Sequence, residues 1–201
     1  MPKTGDGDAE PDYAEQIAAS SDVHKGAWQR TIDDMQAMAG DLREEGWNVV
    51  TIGAGHTAPT NPDAGASDRW GFVHVIPDND AEAFDEAVET GKFPEYRVFR
   101  NEMQGRVFML TELRDSESET AILIAGNFEV RHAPGLVKTA LKEDQIYTHV
   151  QTLDGTHLGS FRHDDVEKFF PDPHKYAGYR VDFEGVLDDE DEESSAGGDS
   201  E

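Results

Sequence analysis

The chain predicts an α+β domain, a mostly antiparallel sheet of six or seven strands with helices packed on one face. Three observations lead there. One long segment has clear helical periodicity, three consecutive strand-like runs form a meander, and an Asp-Gly turn marks a hairpin; none of this alternates regularly enough for a doubly wound parallel sheet.

The elements follow in order. Trp28, Ile32, Met35, Met38, Ala39, Leu42 and Trp47 recur at helical spacing, with Asp33, Asp34, Asp41, Glu44 and Glu45 on the opposite arc, and Gly46 stops the helix. The β-branched run around Val49 to Ile52 reads as a buried strand. The stretch from Gly53 to Asp68, with Pro59 and Pro62, reads as a surface loop. WGFVHVIP is a second strand, after which Asp78 or Asp80 caps a helix ending at Gly91. FPEYRVFR, GRVFMLTEL and TAILIAGNFEV are the meander, turning first at Gln104 and Gly105. A helix over Pro134 to Asp144 leads into a hairpin with Asp154 and Gly155 as a two-residue turn. Asp164 then caps a short helix through Phe169 and Phe170, ended by Pro171 and Pro173.

Charge bounds the solvent and the partners. The 201 residues carry 43 Asp and Glu against 17 Lys and Arg, a formal net charge of -26. Residues 1–22 hold six acids and one base, and residues 182–201 hold ten acids and no base; both read as disordered acidic tails. The single domain between them, 23–181, still carries -11. Self-repulsion of that size is screened in molar salt, where the Debye length falls to about 3 Å. The composition therefore predicts a halophilic protein of a salt-rich cytoplasm. Such a surface disfavours nucleic acid and anionic membranes as partners. The chain has no cysteine, which excludes disulfides, thiolate chemistry and Cys-based zinc sites, and no cofactor signature is present. The longest clean apolar run, Ala121 to Ala125, is too short to span a bilayer.

W-x3-I-D-D-M at Trp28 to Met35 and R-E-E-G-W at Arg43 to Trp47 resemble an uncharacterised family of haloarchaeal proteins. Weaker matches are Ile76-Pro77-Asp78, FPEYRVFR and Phe169-Phe170-Pro171, and together they span about residues 24–171. The resemblance implies the halophilic habit and brings no activity or site residue with it.

Two basic enclaves interrupt the acidic coat. Residues 131–142 carry Arg131, Lys138 and Lys142 with no acid, and residues 92–110 carry Lys92, Arg97, Arg100 and Arg106 against Glu95 and Glu102. Arg131 and His132 precede a helix N-terminus, whose free N–H groups favour anions. If Arg97, Arg100, Arg106 and Arg131 converge with His132, they form a basic pocket for a carboxylate or phosphate. If they do not, they are ordinary ion-paired surface bases.

The eight histidines supply the competing reading. His74 lies on an apolar strand face and His56 in the glycine-containing loop; either is a candidate acid/base group. A two-residue turn at Asp154-Gly155 places His157 and His163 on one hairpin face and His149 on the other, which argues against a shared metal. No metal site is assigned. The first expectation is thus a non-catalytic binding or regulatory domain for an anionic small molecule or an acidic protein segment. The alternatives are a His-dependent hydrolase or isomerase, or a structural module that self-associates through its sheet face or the Trp28 helix face.

Overall fold

The strands divide between two four-stranded sheets that share a core, rather than lying in one sheet. The computed structural model describes residues 13–63, 69–173 and 176. Along these run α1 (Tyr13–Glu44), β1 (Asn48–Gly53), β2 (His56–Thr60), β3 (Gly71–Ile76), α2 (Asp78–Thr90), β4 (Glu95–Met103), β5 (Arg106–Asp115) and β6 (Thr120–Glu129). A 3₁₀ turn at Val130–His132 leads to α3 (Pro134–Glu143), β7 (Ile146–Thr152), β8 (His157–His163) and α4 (Val166–Phe169).

The first sheet has the order β1-β6-β5-β4 and the second β2-β3-β7-β8. Each is mixed: β1 runs parallel to β6 and β3 parallel to β7, while the other neighbours are antiparallel. The α+β class stands; the single antiparallel sheet with helices on one face does not. β6 shows why. Its run Thr120 to Gly126 is buried at every position, because alternate side chains face opposite covers. Ala121, Leu123 and Ala125 meet α1 through Met35, Ala39 and Leu42, whereas Ile122 and Ile124 meet Ile76 and Val150 of the second sheet.

α1 is built as its spacing requires, and Gly46 ends it in a left-handed conformation (φ 97°). Trp47 N–H donates to Leu42 O (3.0 Å) and Gly46 N–H to Arg43 O (3.1 Å), the paired bonds of a Schellman ending. The Trp28 face is packed on the first sheet, with Trp28, Ile32 and Met38 partly buried there. The helix begins at Tyr13, so 13–22 of the N-terminal tail are helical, because strong helix formers such as Ala14, Glu15, Gln16, Ala18 and Ala19 extend an already packed helix at little cost. Residues 1–12 and the C-terminal tail at 182–201 lie outside the described residues.

Three further corrections are local. The loop after β1 contains β2, an edge strand antiparallel to β3, and an edge is where a strand tolerates a proline such as Pro59. Pro77, not Asp78 or Asp80, occupies the N-cap of α2 without a side-chain hydrogen bond. Asp165, not Asp164, caps α4 by accepting from Lys168 N–H (3.3 Å), which frees Asp164 to accept from Tyr96 Oη (3.1 Å).

The β7–β8 turn is one residue longer than a two-residue hairpin. Thr152 N–H donates to Thr156 O and Gly155 N–H to Thr152 O, both at 3.0 Å, with Gly155 at φ 88°. That is a type I turn closed by a glycine bulge. A second irregularity between Val150 and Gln151 restores the later register, so His149 still opposes Ser160 while Gln151 opposes His157. His157 therefore shares the face of His149, and His163 lies on the other.

Candidate functional site

The four arginines do not converge as a set. Arg97 and Arg100 are three apart on β4, an odd spacing that sends them to opposite faces. Arg97 approaches Glu112 on the α1 side (3.7 Å), a carboxylate held almost fully buried with Arg114 on its other side (3.7 Å). Arg100 faces the core edge instead. It donates to Phe169 O (3.0 Å) and to Tyr176 Oη (2.6 Å) and lies 4.0 Å from Glu102, so it fastens the end of α4 to β4.

Arg106 and Arg131 do meet. The antiparallel register sets Arg106 opposite Glu129, and Arg131 follows two residues later in the 3₁₀ turn. Arg106 donates to Glu129 Oε1 (2.9 Å) and Asn127 Oδ1 (2.7 Å), while Arg131 Nε donates to Glu129 Oε2 (2.5 Å). Partial burial opposes ionisation of Glu129, yet the Arg131 hydrogen bond and the charges of Arg131 and Arg106 hold its carboxyl below the usual range. His132 points elsewhere, into a small cleft lined by His56 to Thr60.

α1 supplies the residue that sequence reasoning missed. His24 lies against Phe108 (ring centroids 6.2 Å apart), and its buried Nε2 has no hydrogen-bond partner. It is shared by two adjoining clefts. One, of about 410 Å³, is lined by Glu102, Gln104, Arg106, Glu129 and Arg131; the other, of about 480 Å³, by Ser20, Lys25, Trp28, Arg106 and Asn127. His24 sits four residues before Trp28, on the same helical stripe, and that spacing is the signal that could have placed it over β5.

The histidine candidates separate equally cleanly. His74 is completely buried; Nδ1 shares a hydrogen bond with Thr57 Oγ1 (3.0 Å), Nε2 has no partner, and burial, then His149 and His163, push its pKa down to about 3. It stands beside no carboxylate partner and is a neutral core residue. His56 is exposed at the start of β2. Among the described residues, no three His, Asp or Glu side chains are grouped to hold a metal ion. No described helix is long and apolar enough to cross a membrane.

Fold and site together define a two-sheet α+β domain with a mixed-charge groove between its long helix and a strand hairpin. The chain belongs to DUF7529, a family of unknown function, over residues 14–171, which takes in every described element of the two sheets. No curated protein and no solved structure matches it.

Proposed function

We propose that the groove between α1 and the β5–β6 pair, in a protein of a salt-rich cytoplasm, is a non-catalytic binding site that takes an anionic small molecule or the carboxylates of an acidic segment. The sharing of one carboxylate by two guanidiniums carries this reading. Arg106 and Arg131 both lean on Glu129, and Glu102, the other acid of the lining, lies 4.0 Å from Arg100 outside the groove, so the set of Arg100, Arg106 and Arg131 against Glu102 and Glu129 carries one cationic charge in excess. The unpartnered ring nitrogen of His24 adds a polar contact at its wall. Set in a domain of strong negative charge, such an enclave concentrates an anion at one place on the surface.

A thermal-shift series in molar KCl with inorganic phosphate, citrate, ATP and an oligoglutamate peptide tests it. An anion at 100 times its dissociation constant adds about 2.7 kcal/mol, a rise of roughly 5–10 °C for a domain of this size. Arg131→Gln removes that rise. No rise for any of the four, or an undiminished rise in the variant, refutes the reading. The salt habit has its own measurement: far-UV circular dichroism loses helical signal on dialysis into dilute buffer, and an unchanged spectrum refutes the halophilic premise.

A further inference from the structure

The face of the second sheet turned away from the core holds a serine between two imidazoles. Ser160 Oγ lies 2.7 Å from His149 Nδ1 and 2.8 Å from His157 Nε2. His149 Nε2 lies 2.8 Å from Trp70 O. A carbonyl oxygen only accepts, so Nε2 carries the proton and donates, and the neutral ring presents the Nδ1 lone pair to the serine hydroxyl. With its proton directed to His149, Ser160 Oγ accepts from His157 Nε2–H. The protons of His149 and Ser160 are thus assigned by one backbone carbonyl.

The surroundings suit a base and an exposed nucleophile. His149 is only 5 % exposed while Ser160 is open to solvent. Tyr147 stacks parallel to His149 (5.7 Å, 9°) and Trp70 meets Tyr147 edge-on (5.2 Å), so the base is wedged in a row of rings that also offers an apolar ledge. Burial, then the charges of His157 and Arg69, lower the pKa of His149, although its bond to Trp70 O opposes this, which keeps the ring neutral at pH 7. Burial, then the charge of Arg69, lower the pKa of His157, and a bond to the Gly159 backbone opposes this.

We propose that Ser160 is a nucleophile with His149 as its general base, and that this sheet face hydrolyses esters with an apolar or aromatic acyl group. Ser160 Oγ attacks the acyl carbonyl while its proton passes to His149 Nδ1; the Trp70 carbonyl steadies the resulting imidazolium through Nε2–H. His149 returns that proton to the departing alkoxide, giving the alcohol and an acyl-Ser160. Water, deprotonated by His149, then attacks the acyl carbon; Ser160 recovers its proton and the carboxylic acid leaves. His157 Nε2–H is the donor held against Ser160 Oγ.

This site is distinct from the arginine groove and stands or falls separately. The test is reaction with an alkyl fluorophosphonate, in which serine oxygen displaces fluoride from phosphorus and the proton leaves with it, read by intact mass and peptide mapping. One adduct per chain, mapped to Ser160 and absent in Ser160→Ala, is expected. His149→Gln slows labelling by about 100-fold or more, the usual share of a general base, and the wild-type rate falls as His149 is protonated in acid. Labelling spread over several serines, no adduct, or a rate unchanged in a folded His149→Gln protein overturns the assignment. If that variant does not fold, the wild-type map and its pH profile decide alone. Hydrolysis of p-nitrophenyl butyrate follows the same pattern, with an initial burst of one p-nitrophenol per chain.

Discussion

Gly71→Ala is expected to cost roughly 2–6 kcal/mol, the sum of backbone strain and overpacking, and to lower the unfolding midpoint by about 4–24 °C. Gly71 opens β3 at φ 130°, a conformation that L side chains rarely adopt. Its position is also closed: an added Cβ would run into the Tyr147 carbonyl oxygen and lie 2.8 Å from Tyr147 C and 2.9 Å from Tyr147 Cβ. That carbonyl belongs to β7, held between β3 and β8, so it cannot withdraw without opening the Phe72–Thr148 pairing next to it. Gly105→Ala is the control. Gly105 has φ 74° with nothing within 4 Å of an added Cβ, so strain alone remains, about 1–2 kcal/mol. Equal losses in thermal melts of the two variants would show that the collision at Tyr147 is not the cause. Because Trp70 immediately precedes Gly71 and its carbonyl sets the proton on His149, the substitution should also depress fluorophosphonate labelling of Ser160.

The parts legible in the sequence are those set by local physics. The α1 stripe, Gly46, the Gln104-Gly105 turn with both residues at positive φ, and the β4–β5–β6 meander each follow from spacing within a few tens of residues. The division into two sheets depends instead on β3 finding β7 across α2, three strands and α3, and no local pattern encodes that pairing. The unbroken burial of β6 was the available hint, since a strand covered on both faces reads as continuous apolar sequence. Alternation along β4 would likewise have separated Arg97 from Arg100. The meeting of Arg106 with Arg131 needed the β5–β6 register, and the pairing of His149 with His157 needed the extra turn residue and its compensating bulge. Both candidate sites thus rest on cross-strand registration, which the sequence specifies only through turn geometry.

Acid is expected to destabilise the protein steeply between pH 6.5 and about 4, before its carboxylates titrate. His74 and His163 form part of a buried polar seam with Thr57, Thr111 and Thr148, lying where the two large apolar clusters of the inter-sheet core meet. Thr57 and Thr148 satisfy one nitrogen of each ring, leaving His74 Nε2 and His163 Nδ1 without a partner that could stabilise a charge. Burial pushes His163 down to about 4, with Asp164 opposing and Lys168 adding to the shift, and His74 down to about 3, from an ordinary value of 6.5. In this window the unfolded chain binds protons that the native chain refuses, so stability is complete above pH 6.5 and falls as pH falls. Each histidine contributes a slope of about 1.4 kcal/mol per pH unit until its native pKa is reached. The lowered pKa values of His149 and His157 add the same sign, whereas Asp115, Asp154, Asp164 and Glu129 are held below their usual range and lose stability only at lower pH. Chemical unfolding at half-unit steps from pH 7.5 to 4.5 measures the slope directly, and His74→Phe should reduce it by one histidine's share whatever the variant does to absolute stability. A slope that survives unchanged in His74→Phe would mean that His74 charges within the native core, and that the seam holds water the two unpartnered nitrogens can reach.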